Sequence, residues 1–282
     1  MMVLVIDSGG TKLEWRLIGP ESIDQGREDG YHPLVHPNEH LRQILMNLKE
    51  SLGSQPISQV HFYGAGCSEY KHKEVIVEEL KRVFSQATLE VESDMLAAAR
   101  ALCGDQPGIA CILGTGSNSC VFDGNSIVEQ IPPLGYILGD EGSGSYLGKQ
   151  LLTNYSRNLL PKKIEEAFFK RYKLDKKEIP SALFGQDSPN RWLADFTRFL
   201  RHHKSDPFIY QIITAGFEVF FVEILSRYER SKVLPIHFSG SVAFYFNDFL
   251  RRIGAEKQFV IRNIVEGPIA GLALYHRNKA GL

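Results

Sequence analysis

Cysteine is scarce in this chain: Cys67, Cys103, Cys111 and Cys120 are the four among 282 residues. A chain of this length has interior enough to fold without disulfide staples, so they read as buried, reduced thiols. No CxxC, no HExxH and no dense His/Cys cluster occurs, which argues against structural zinc and against an iron–sulfur site on one chain. No uncharged apolar stretch reaches the length of a membrane span, and the run Val3 to Ile6 stops at Asp7, too short for a secretory signal. A protein away from the membrane, with the cytoplasm as its compartment, is therefore expected. Charge of one sign is also missing. Lys+Arg 32 against Asp+Glu 33 leaves a net charge of −1, without the global positive field that nucleic-acid binding asks for.

What is present is ordinary for a globular protein: 43% hydrophobic and 23% charged residues, with 25 Gly and 13 Pro, exclude collagen-like and disordered chains. The length admits one large domain or two modest ones. A basic stretch from Pro161 to Lys177 is interleaved with Glu165, Glu166 and Asp175 and places Glu166 four residues before Lys170. That order supports a solvated helix, with Ala167, Phe168 and Tyr172 on its buried side, rather than an RNA-binding surface.

One pattern occurs twice. Val3 to Ile6 enters Asp7-Ser8-Gly9-Gly10-Thr11-Lys12 and leaves through Leu13, Trp15 and Leu17 at period two. A hundred residues on, Ile109 to Leu113 enters Gly114-Thr115-Gly116-Ser117-Asn118-Ser119 and leaves through Cys120, Val121 and Phe122. Two strand–glycine turn–strand units suggest a duplicated architecture with a hairpin at the head of each half. Between them lie a strand near Val60 to Phe62, a helix over His72 to Gln86, a strand at Leu89 to Val91, and Ser93-Asp94 at the start of a helix running to Leu102. From Gly144 to Tyr228 the reading is mostly helical. Its clearest segment opens at Ser205-Asp206-Pro207 and runs toward Tyr228. A strand at Ile236 to Phe238 then enters Ser239-Gly240-Ser241, a helix covers Val242 to Arg252, and a last helix spans Pro268 to His276.

Three turns therefore join glycines to hydroxyl side chains directly after apolar strands. Glycine lets consecutive N–H groups converge on an anion without a Cβ in the way, and Ser or Thr hydroxyls add donors. Any one of them alone would be a tight turn; together they suit a triphosphate gripped by two hairpins. The usual single-loop solutions are absent, since no G-x-x-x-x-G-K-[ST] occurs and Gly114-Thr115-Gly116 lacks the last glycine of a dinucleotide fingerprint.

The turn Asp7 to Lys12 with Trp15, the turn Gly114 to Ser119, Gly139-Asp140-Glu141-Gly142-Ser143-Gly144 and Phe238-Ser239-Gly240-Ser241-Val242 resemble the motifs of the N-acetylglucosamine kinase and BadF-type ATPase family, within the actin-like ATPases. The four occur in the family order, and the likeness runs from Asp7 to the closing helix. It implies an α/β protein of two actin-like (ribonuclease H-like) lobes with an ATP cleft between them. One lobe would cover 1–105, joined by the helix 268–280; the other would cover 106–267 with a helical insertion. The implied activity is transfer of the γ-phosphate of MgATP to a hydroxyl, the 6-OH, of N-acetylglucosamine or a related sugar such as N-acetylmuramic acid. A homodimer is a family-level expectation.

Roles follow residue by residue. Asp7 would hold Mg²⁺ through water. Gly9, Gly10, Thr11, Lys12, Gly114, Thr115 and Gly116 would meet the phosphates, although Lys12 could equally lie in solvent. Gly240 and Ser241 resemble the turn that contacts adenosine. Gly216, costly inside a helix, could let the base lie close, and close helix packing explains it as well. Asp94 matches the catalytic aspartate and would accept the proton of the attacking hydroxyl. Ser117, Asn118 and Asp140 match sugar-contacting positions and supply the donors and acceptors that vicinal hydroxyls need.

Two stretches depart from the family. Gly30-Tyr31-His32-Pro33 stands where an early Asn is common, and Pro132-Pro133-Leu134-Gly135 replaces a GGWG stretch; both fall on the implied sugar side, with His32 and Gly135 as candidate contacts. The alternative is a BadF-type ATPase that activates a partner or senses nucleotide for it. It asks for thiolates at a shared iron–sulfur cluster, which Cys103, Cys111 and Cys120 do not offer in the required pairing.

Overall fold

A computed structural model describes residues 2–10 and 12–282; Thr11, assigned above to the phosphate turn, lies outside them. Its strands are β1 (Met2–Ser8), β2 (Lys12–Ile18), β3 (Ile23–Asp29), β4 (Ile57–Gly64), β5 (Thr88–Ser93), β6 (Gly108–Leu113), β7 (Ser117–Phe122), β8 (Ile127–Glu129), β9 (Ile236–Ser239) and β10 (Ile261–Val265). One sheet has the order β3-β2-β1-β4-β5, the other β10-β9-β6-β7-β8. Read from its β8 edge, the second repeats the first with every number raised by five. In the first, β1 pairs antiparallel with β2 and parallel with β4; in the second, β9 runs parallel to both β6 and β10.

The chain divides into two compact units. One comprises Met1–Gln106, Phe122–Ile127 and Gly267–Leu282, the other Pro107–Val121 and Val128–Glu266. In the first unit the unbroken apolar run of β1 has a physical cause: both faces of the strand are covered. Leu4 and Ile6 pack with Leu41, Leu45 and Leu48 of the helix Asn38–Leu52 and with Ile76 and Leu80 of the helix Tyr70–Val83. Val3 and Val5 face the other way, onto Ala97 of the helix Asp94–Cys103 and Leu272 of the closing helix Ile269–Ala280. That closing helix is also pinned by polar contacts, with Tyr63 Oη 2.7 Å from His276 Nε2 and the His276 and His61 rings stacked at 3.8 Å. His61, Glu90 and His276 lie close enough to share an ion. Rings stacked face to face, however, cannot both aim their in-plane lone pairs at one metal.

In the second unit a single core joins β6 and β9 to the helices Gly144–Ser156 and Pro207–Glu223. Asp206 caps the longer helix by accepting from the Phe208 and Ile209 N–H groups, and Pro207 takes the first helical position. The helix ends at Glu223, short of Tyr228: the Ser226 hydroxyl donates to the Phe221 carbonyl at 2.9 Å and competes for the last turn. The span Pro207–Arg227 is long and apolar enough to cross a membrane, with a mean hydropathy of 1.7. Ile209, Ile213, Phe217, Phe220 and Phe221 are all buried in the core, which accounts for that composition. The helix expected over Val242 to Arg252 is two, Ser241–Tyr245 and Asn247–Glu256. Phe246 between them turns into the core, and the Asn247 amide donates to the Phe244 carbonyl at 2.7 Å.

Candidate functional site

The first unit gathers its polar residues at one end of its parallel strands, where open α/β sheets hold ligands. Asp7 pairs in register with Tyr63, and Gly64 with Ser93, so Asp7 and Asp94 leave the sheet at the same edge. Asp94 is the first residue of its helix, and Ser93 is the cap, accepting from Leu96 N–H at 3.3 Å. Crowding by protein pushes the Asp7 carboxyl up to about 7, with the Asp94 and Glu14 charges adding to the effect. Burial takes Asp94 up to about 6, opposed by N–H donation from its own helix start. Two neighbouring carboxyls with raised pKa values are poised either to exchange protons or to receive a cation.

Two other residues of this turn, Lys12 and Ser8, have settled roles. Lys12 reaches Glu14 at 2.9 Å, and Glu14 also takes Arg27. The Ser8 hydroxyl is buried and tied at 3.2 Å to both the N–H and the carbonyl of Tyr31, so it orients the neighbouring loop instead of pointing into the turn. In that loop the His32 ring lies close to Gly66, where a Cβ would sit 2.9 Å from Cε1. Its Nδ1 accepts from Leu34 N–H at 3.2 Å. Burial and the nearby His36 and His72 lower its pKa, so the ring is neutral with its proton on Nε2.

The second unit builds the corresponding edge from backbone. Gly240 has φ +115°, and a Cβ there would stand 2.3 Å from the Leu113 carbonyl oxygen. Only glycine lets the turn Ser239 to Ser241 press against the start of the turn Gly114 to Ser119. Gly114, Thr115 and Ser241 consequently line one cavity of about 400 Å³. Arg191, Arg198 and Arg201 line it too, against the single carboxylate Asp195. Motif reading missed these arginines, although Arg198 and Arg201 are three apart and share a face of the short helix Thr197–His202.

The other end of the same glycine turn faces a second cavity, of about 240 Å³, lined by Ser117, Asn118, Asp140 and Glu141 with Pro132, Pro133, Leu134 and Leu138. Asp140, with φ +59°, is buried beneath the turn and accepts from Ser117 N–H at 3.1 Å. Gly116 leaves it room, since a Cβ there would lie 3.0 Å from both carboxyl oxygens. Burial raises the Asp140 pKa. The Asn118 carbonyl accepts from Ser119 N–H and from the Gln130 amide, both at 2.9 Å, so its NH₂ is left to donate to a ligand. Ser119 is structural, its hydroxyl 2.8 Å from the buried Tyr228 Oη.

Two candidates do not join these groups. Gly216 is explained by packing, because a Cβ there would strike Leu147 Cδ2 at 2.4 Å, and it lines neither the arginine-walled cavity nor the one beneath Asn118. Of the two readings the sequence offered for it, packing is the one this geometry carries. Gly135, at φ +70°, opens a four-residue helix with nothing within 4 Å of its absent Cβ, and the neighbouring prolines and Leu134 line the cavity instead.

No family model matches the chain, and no curated protein matches it. Solved structures do match. A Porphyromonas gingivalis protein, described provisionally as an N-acetylglucosamine kinase, is 37% identical over 99% of this chain and 100% of its own, with a TM-score of 0.93. A Chromobacterium violaceum protein with the same provisional description is 20% identical, covers 97% of this chain and 98% of its own, and has a TM-score of 0.73. A non-polymerising mutant of MamK, solved bound to AMPPNP, is 12% identical over 100% of this chain and 99% of its own, with a TM-score of 0.55. The last two likenesses are of fold alone. The actin-like α/β architecture expected from the motifs is borne out.

Proposed function

The chain belongs to the N-acetylglucosamine kinase family of actin-like ATPases and is an ATP-dependent carbohydrate kinase; on that premise we propose that its acceptor is N-acetylglucosamine or a closely related amino sugar, phosphorylated at the 6-OH. The observation that carries this reading is the division of labour along one turn. Gly114 and Thr115 line a cavity walled by arginines, suited to a polyanionic donor, while Ser117 and Asn118 line a second with Asp140, suited to a polyol.

In this reading the turn's N–H groups and the arginines bind the triphosphate and spread its charge. Asp140 and the Asn118 amide hold sugar hydroxyls, the neutral His32 ring offers an Nε2–H, and the Pro132–Leu134 wall takes an apolar substituent such as an acetyl methyl. Asp94, ionised above about pH 6, orients the attacking hydroxyl and accepts its proton. Asp7 suits Mg²⁺, because a crowded carboxyl repelled by Asp94 and Glu14 gains from a cation. When bound, that ion would neutralise phosphate charge. Most of the acceleration comes from positioning and charge neutralisation.

The activator alternative fits the thiols less well. All four cysteines are buried, and burial pushes Cys67 and Cys103 up to about 12, away from the thiolate a surface-shared cluster needs. The test is ADP release from MgATP with N-acetylglucosamine, N-acetylmuramic acid, glucosamine, N-acetylmannosamine and glucose. Stimulation by N-acetylglucosamine, with a 6-phosphosugar in the mass spectrum, is the expected result. Hydrolysis that no sugar stimulates would overturn the acceptor assignment.

A further inference from the structure

We propose that Arg201, laid on the Tyr245 ring, is the platform for the donor's base and selects purine over pyrimidine nucleotides. This rests on reading the arginine-walled cavity as the nucleotide site.

The Arg201 guanidinium carbon lies 3.9 Å from the centre of the Tyr245 ring, a stacking distance, and both residues line the cavity that Gly114 and Thr115 enter. Tyr245 is held in place, its hydroxyl donating to Glu266 at 3.1 Å. One face of the guanidinium is thus taken by the ring, and the residue is otherwise exposed. A planar cation supported on one side presents its second face to another π-system, and Arg stacks on aromatic surfaces where Lys does not. The base of a nucleotide whose phosphates sit at Gly114 and Thr115 is such a surface.

The lining also limits how the base is read. Among the described residues that form this cavity there is no Asn or Gln; the groups that could meet a base edge in both directions are the Ser241 hydroxyl and His202, whose Nδ1 is already 2.6 Å from the Arg198 carbonyl. The Thr197 hydroxyl is spent on the Ala194 carbonyl at 2.6 Å, and Asp195 sits 3.7 Å from Arg198. Recognition by stacking area discriminates ring size and tolerates differences in edge pattern. Adenine and guanine nucleotides are therefore both bound, and the smaller pyrimidines bind more weakly.

Calorimetric titration of the full chain with ADP, GDP and CDP tests this without any sugar. The expected result is ADP and GDP within a few-fold of each other, with CDP weaker by about tenfold. Arg201→Ala and Tyr245→Leu should each weaken ADP by about tenfold and narrow the gap to CDP. Arg201→Lys keeps the charge without the plane and should behave like Arg201→Ala. Recovery of ADP binding in Arg201→Lys would reduce the residue to a phosphate contact and overturn the proposal. So would variants that bind as the parent does, or a parent that binds no nucleotide. A parent that titrates as expected but phosphorylates no sugar leaves this proposal standing and removes the acceptor assignment instead.

Discussion

Asp94 serves two demands that pull in opposite directions. As the proposed base it must be ionised, and its surroundings penalise that charge, lifting the carboxyl from 3.8 to about 6. Below about pH 4 the group is neutral whether the chain is folded or unfolded, and nothing is lost. As pH rises from 4 through 6 the unfolded chain ionises first, so folding stability falls and stays lower above pH 6. Asp94→Asn removes that cost. In the absence of ligand at pH 8 it should raise stability by on the order of 1–2 kcal/mol, the full shift being discounted because part of the residue is open to solvent. The same variant should lose phosphoryl transfer by at least about a hundredfold while ADP binding persists. Parallel melting curves and rates check both signs, and an unchanged rate would take the base role from Asp94. In the parent, transfer should fall as pH drops through about 6, where Asp94 takes up its proton.

At the scale of elements, the site in the second unit depends on how closely β6 and the turn after β9 approach. Gly240→Ala puts a methyl 2.3 Å from a backbone oxygen that has no flexible end to move, at a φ that L-residues avoid. A cost of about 2–4 kcal/mol is expected, with weaker ADP binding as Ser241 is displaced. Gly53→Ala is the control: its φ is also positive, at +63°, but nothing lies within 4 Å, so about 1 kcal/mol and unchanged ADP binding should follow. Equal melting temperatures for the two variants would show that the close approach does not matter. Some elements were readable from pattern and others not. β1 and β6 announce themselves as apolar runs because both are buried on two faces. β3, IDQGRED, lies on the exposed edge of its sheet with no inward face to pattern, and only pairing with β2 makes it a strand.

Across the whole molecule, the chain's last residues complete its first core. Ile269, Leu272 and Ala273 cover Val3 and Val5, some 265 residues earlier in the chain. Leu272→Ala should cost about 3 kcal/mol. If the two units open separately, hydrogen exchange should quicken in 2–106 and stay slow in 128–266. Equal loss of protection throughout would mean that the chain opens as one body.

Asp94 stands out as a base only through its match to the family motif, whereas the duplicated hairpins, the helix caps at Ser93 and Asp206 and the glycine turns could all be argued from the residues themselves. Each rests on a local cause: side-chain period, a cap one to three residues from its N–H group, or a turn only glycine tolerates. The arginine wall, the commitment of Ser8 and Ser119 to Tyr31 and Tyr228, and the choice between the two readings of Gly216 could not be argued that way. Those depend on partners 23 to 109 residues away in the chain for the two serines and on Leu147 for Gly216. A hydroxyl in a glycine turn has the same local sequence whether it faces a phosphate or a buried tyrosine. Its direction is decided only when distant segments pack and leave one partner within hydrogen-bond reach.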